Sequence, residues 1–176
     1  MSVWNVRTLV ALGAIALVAG PLVHSAAAQE RPGPVGEFAA GALLFADDGV
    51  VAEGFVGGAA RLYALPRVSV GPEIAFINGQ NHSHLMLTGN VTFDLVRPLN
   101  RQPRKITPFA VVGAGLFRTR ERVPNNDVFT STEGAFTAGG GVRALVGKSV
   151  IVGVEARIGW ELHIRVNGLV GVRLGR

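Results

Sequence analysis

Between residues 85 and 95 the chain alternates strictly. Leu85, Leu87, Gly89, Val91, Phe93 and Leu95 take one set of positions, and Met86, Thr88, Asn90, Thr92 and Asp94 take the other. A period of two is the mark of a β-strand with one apolar and one polar face. The pattern returns at 150–160, where Val150, Val152, Val154, Ala156, Ile158 and Trp160 oppose Gly153, Glu155, Arg157 and Gly159. It returns again at 164–174, with Ile164, Val166, Gly168, Val170, Val172 and Leu174 against Arg165, Asn167, Leu169, Gly171 and Arg173. At 68–78, Val70, Ile74 and Phe76 oppose Ser69, Gly71 and Glu73. Small residues blur the same alternation at 35–46, 54–65, 108–118 and 133–145. The sequence therefore predicts eight strands of about 10–12 residues, a length that crosses a bilayer when tilted.

The connections alternate as well. Polar segments at 47–53, 79–83, 119–131 and 160–162 would lie at one end; Pro66-Arg67, 98–106 and Gly147-Lys148-Ser149 at the other. Each is short enough to join antiparallel neighbours, which predicts an all-β, up-and-down antiparallel barrel. Residues 1–28 differ from the rest. Arg7 is their single charge, 8–23 is almost wholly apolar, and the segment closes on Ala26-Ala27-Ala28. A positive start, a short apolar stretch and a small-residue end read as a cleaved secretory signal, leaving 29–176 as the barrel domain. The absence of cysteine excludes disulfides, thiolate metal sites and a thiol nucleophile.

The two faces of such a barrel admit two orientations. A soluble lipocalin-like barrel turns its apolar face inward; a membrane barrel turns it outward. The polar face carries Glu37, Arg61, Glu73, Asp94, Glu133, Arg143, Glu155, Arg157, Arg165 and Arg173, five arginines and five acids. Buried charges must pair, and arginine is suited to multidentate pairing in tight spaces. The chain is also charge-poor, at 16%, where soluble domains average roughly a quarter. These features favour a charged lumen and a lipid-facing surface of Leu85, Leu87, Val91, Phe93, Leu95, Val150, Val152, Val154, Ile158, Val166, Val170 and Val172. Phe45 and Trp160 fall near strand ends, where interfacial aromatics sit.

With its signal and eight alternating segments, the chain resembles the small eight-stranded outer-membrane barrels of the OmpA transmembrane-domain and OmpX type. The stretches that carry the likeness include Leu87-Thr88-Gly89-Asn90-Val91-Thr92-Phe93, Pro108-Phe109-Ala110-Val111-Val112-Gly113-Ala114-Gly115 and Val170-Gly171-Val172-Arg173-Leu174. The chain departs from that family's closing aromatic residue, ending instead in Arg176. The resemblance implies a monomer with periplasmic termini. Its implied partners are outer-membrane lipid, lipopolysaccharide and the barrel-assembly machinery. Its implied role is structural or adhesive.

Candidate chemistry is sparse. His82, Ser83 and His84 fall on the second outer connection, and Glu161 and His163 on the fourth. A His-Ser pair with a carboxylate is similar in residue type to lipid A deacylase barrels, which makes a lipid-modifying hydrolase the alternative. Strands three and four are expected to lie across the barrel from strands seven and eight, too far for His163 to join His82. The histidines then read as a polar loop, with no catalytic residue, metal or cofactor expected. The charge ladder reads as a salt-bridged plug, because side chains fill an eight-stranded lumen; a small-solute channel is the competing reading. Arg118, Arg120 and Arg122 share one side of a strand and would meet lipopolysaccharide outside, while the basic segment 97–105 reads as a solvated turn. No nucleic-acid motif appears despite the net charge of +5.

Overall fold

The computed structural model describes residues 31–47, 49–79, 82–96, 105–122, 128–159 and 163–174. Residues 1–28, expected to be a signal, and Trp160 lie outside the described residues. Eight strands follow one another: β1 (Val35–Asp47), β2 (Gly49–Leu65), β3 (Val68–Asn78), β4 (His82–Asp94), β5 (Ile106–Arg122), β6 (Val128–Val146), β7 (Val150–Gly159) and β8 (His163–Arg173). Each pairs antiparallel with the next, and β1 pairs with β8, closing an all-β barrel that leaves no sheet edge. Val35 lies opposite Arg61 on one side and Arg173 on the other, so both ends of the barrel domain meet at one rim. At that rim β6 turns into β7 through Gly147, whose φ of 66° is the left-handed region open to a residue without Cβ. A register shift between Tyr63 and Leu65 marks a bulge where β2 turns into β3.

The alternation resolves into an apolar outside and a largely polar inside. On β7, Val154 is 63% exposed and the adjoining Glu155 4%. On β4, Leu87 is 50% exposed and Thr88 2%. Phe93, Leu95, Val150, Val152, Ile158, Val166, Val170 and Val172 are likewise exposed, and Leu85 and Val91 are half-buried on the same outward face.

The strands run longer than the alternation predicts at the rim opposite the termini. β2 and β5 have 17 residues each and β6 has 19. The β5–β6 ladder continues through Thr119–Ser131, Arg120–Thr130, Glu121–Phe129 and Arg122–Val128 pairs. Backbone pairing does not require a hydrophobic contrast: the added Thr119–Glu121 of β5 is polar on both faces and the added Val51-Ala52 of β2 is apolar without alternation, so the pattern fades while the ladder persists. Three expectations are corrected as a result. Glu53 belongs to β2 rather than a loop. His82 and His84 belong to β4 rather than a loop. Phe45, at an odd position of β1, is half-buried against the lumenal apolar cluster and does not serve as an interfacial aromatic.

Candidate functional site

The lumen is built from inward positions of all eight strands. At its centre, Arg157 from β7 and Arg165 from β8 face Glu155 from β7 and Glu73 from β3. Arg157 Nε donates to Glu155 Oε1 at 2.7 Å, and its Nη2 donates to Glu155 Oε2 at 2.9 Å and Glu73 Oε2 at 2.8 Å. Arg165 Nη2 donates to Glu155 Oε1 at 2.9 Å, and its Nη1 to Glu73 Oε1. Asn90 from β4 adds an amide donor to Glu73 Oε2 at 2.8 Å. The four charges sum to zero, and each carboxylate meets both guanidinium groups. This multidentate pairing offsets the desolvation of ions held away from water.

A second neutral quartet lies nearer the termini. Arg61 Nε donates to Glu37 Oε2 at 2.6 Å, and Arg143 Nη2 to Asp94 Oδ1 at 3.0 Å. Arg143 Nη1 also approaches Glu37 Oε1 at 3.7 Å. The Tyr63 hydroxyl donates to Asp94 Oδ2 at 3.2 Å. Phe109 lies against both cations, 4.0 Å from Arg143 Cζ and 5.1 Å from Arg61 Cζ at its centroid. A ring face attracts cations, and more strongly where they are desolvated.

Two members of the predicted network stand apart. Glu133 is exposed on the extended part of β6 and accepts a hydrogen bond from Ser131 Oγ at 3.1 Å. Arg173 is half-buried at the terminal rim, and its Nε has no hydrogen-bond partner among the described residues.

Apolar side chains also enter the lumen, which the polar-face reading did not anticipate as a layer. Leu43, Phe55, Ala75, Ile77, Met86, Phe117 and Ala135 form one buried cluster. Its Phe55 lies 5.0 Å from Arg165 Cζ, and its Phe117 stacks 4.8 Å from His84. The cluster therefore separates the central quartet from the mouth opposite the termini. Val35, Phe109, Val111, Ile151 and Leu169 form another. Gly139 lets β7 approach closely: a Cβ there would run into the Ala156 carbonyl oxygen and lie 2.6 Å from Arg157 Cα and 2.9 Å from its Cγ. Cavities of about 20 and 10 Å³ remain beside the quartets, space for a single water at most.

At the mouth opposite the termini, the His82 and His84 rings lie 4.9 Å apart, and two phenylalanines stand between His84 and His163, with no direct contact from His163 to His82 among the described residues. Phe45 sits 5.7 Å from both His84 and His163. Phe117 stacks on His84 and lies 6.4 Å from His163. An eight-stranded lumen is only as wide as the side chains filling it, so strands on opposite walls meet. Glu53 joins through contacts to both His82 and His84. Period two extended upstream of Met86 and Phe55 would have placed these residues inward. Outside, a cleft of about 760 Å³ runs along the extended strands, bordered by Phe76, Asn78, Leu85, Arg118, Arg120 and Thr130.

These features define a closed eight-stranded barrel with an apolar exterior and a plugged, charge-balanced lumen. Solved structures share that fold. Neisserial surface protein A matches with a TM-score of 0.69 at 11% identity, over 83% of this chain and all of that one. Ail, the attachment invasion locus protein of Yersinia pestis, in complex with the heparin analogue sucrose octasulfate, matches at 0.60 and 9% identity, over 82% of this chain and 99% of that one. The N-terminal β-barrel domain of Pseudomonas aeruginosa OprF matches at 0.58 and 11% identity, over 83% and 100%. No family model and no curated protein matches the sequence.

Proposed function

We propose that the protein is a monomeric bacterial outer-membrane barrel of the OmpA and OmpX kind, exported by residues 1–28, with a structural or adhesive role at the cell surface and no catalytic role. The observation that carries this reading is the inversion of polarity around a closed barrel. Exposed Val, Leu, Ile and Phe surround it while paired Arg and Glu fill it. A large contiguous apolar surface is a liability in water and the preferred solution in hydrocarbon.

With the termini periplasmic, the extended β5–β6 ribbon projects outward and carries exposed Arg118 and Arg120 beside the external cleft. Lipopolysaccharide phosphates or sulfated polysaccharide would meet these cations. The heparin analogue bound to Ail supports a surface-attachment reading for this rim. The filled lumen argues against a solute channel. Cell fractionation tests the membrane assignment: the protein should stay with the outer membrane until detergent is added, and release by osmotic shock would refute it. Cells displaying the protein should adhere to immobilised heparin, and less so after Arg118→Ser with Arg120→Ser. Equal adhesion by both, or none above cells lacking the protein, would refute the adhesive role.

A further inference from the structure

We propose that Glu53, His82 and His84 bind one divalent transition-metal ion of the zinc class at the outer mouth of the lumen. One nitrogen from each imidazole and one carboxylate oxygen lie within 4.8 Å of one another. Two imidazoles and a carboxylate form a donor set of intermediate hardness that suits zinc, copper or nickel. It offers too few oxygens for calcium or magnesium.

The state of Glu53 sets this cluster apart from a polar rim. Glu37, Asp94, Glu73 and Glu155 each meet an arginine in the lumen. Among the described residues, the ion-pair partners of Glu53 are His82 and His84. Its side chain is 2% exposed, its Oε1 contacts His82 Nε2, and its Oε2 is buried without a hydrogen-bond partner among the described residues. That oxygen points towards His84 Nε2 at 3.6 Å, beyond hydrogen-bond range. A buried carboxylate with an unsatisfied oxygen is costly, and a cation between it and the imidazoles removes the cost.

The surroundings hold the donors in place. His84 Nδ1 lies 2.9 Å from Thr119 Oγ1. With Nδ1–H donating to that hydroxyl, Nε2 presents its lone pair towards Glu53, the arrangement that orients metal-bound histidines. Phe117 stacks on the same ring, and the apolar cluster beneath keeps the site apart from the central quartet. Glu53 on β2 reaches His82 on β4 past the end of β3, where a Cβ at Gly79 would lie 2.5 Å from both Glu53 Oε1 and His82 Nε2. Glycine there leaves the passage open. His82 is about one-third exposed, at 32%, so the ion enters from outside and keeps a coordination position for water. The ion takes the place of the direct His82–Glu53 contact.

The test is calorimetric titration of the tag-free barrel in detergent micelles with zinc chloride, each variant checked for folding by heat-modifiable gel migration. One ion should bind per chain. His84→Ala and Glu53→Gln should each weaken binding by about 100-fold or more, and Thr119→Val by about 10-fold. His163→Gln, outside the donor set, should bind as the parent does. Absence of saturable binding, or unchanged affinity in His84→Ala, would overturn the site. A measurement on the unmutated protein guards against misfolded variants: zinc should protect both His82 and His84 from acylation by diethylpyrocarbonate, read by peptide mass spectrometry. Unprotected acylation of both would overturn it as well.

Discussion

Replacing Glu73 with glutamine removes one charge from the centre of the lumen and almost no volume. The carboxylate receives Arg157 Nη2 and Asn90 Nδ2, each at 2.8 Å, as well as Arg165 Nη1. The side chains of Glu73, Arg157 and Arg165 are 8%, 3% and 2% exposed, so water cannot take over these contacts. In Glu73→Gln, two guanidinium groups share Glu155 alone, and a neutral quartet becomes a triad of charge +1. Breaking a buried ion pair by removing one partner costs about 3–5 kcal/mol. That is a large part of the roughly 5–15 kcal/mol that stabilises most domains. Arg165→Met in the same chain restores neutrality, so the double variant should lose less than the sum of the singles, with a coupling of about 2 kcal/mol. Urea titration in lipid vesicles, with the folded fraction read from heat-modifiable gel migration, measures all four corners of the cycle. The exposed Glu133→Gln serves as the reference and should stay within about 0.5 kcal/mol of the parent. A Glu73→Gln loss below about 1 kcal/mol, or strictly additive variants, would refute the claim that the quartet is one desolvated unit.

The same titration should show Gly139→Ala destabilised by about 1–3 kcal/mol or more, because the new methyl group runs into the β7 backbone at the Ala156 carbonyl oxygen and Arg157 Cα. Val154→Arg on the outward face should cost about 2–4 kcal/mol in vesicles, the depth-dependent cost of a cation facing lipid; a neutral result would place that face away from hydrocarbon. In planar bilayers the parent should carry no steady current, whereas Glu155→Ala combined with Arg157→Ala should open a leak. Sustained current through the parent would contradict the plug.

Strands were legible in the sequence wherever one face is apolar, as at Leu87, Val91 and Phe93. Their outer ends were not, because segments such as Thr119-Arg120-Glu121 and Thr130-Ser131-Thr132 carry little contrast between faces while their backbones stay paired. The candidate network was legible as a balance of Arg and Glu on one face. Which groups meet depends on register and lumen width, neither of which alternation encodes. Arg157 reaches Glu73 across 84 positions of sequence. Phe55, Ile77, Met86 and Phe117 occupy inward positions that polarity alone would assign to the outside. Glu53, His82 and His84 come together because β3 ends beneath them. Only the placement of all three strands reveals this.

The central claim is the direction of the apolar face. Photolabelling with a carbene precursor dissolved in the lipid phase, followed by peptide mass spectrometry, tests it on the unaltered chain. Label should appear at Val152 and Val154 and be absent from Glu155, their inward-facing neighbour. Label on Glu155 with none on Val152 and Val154 would contradict the account.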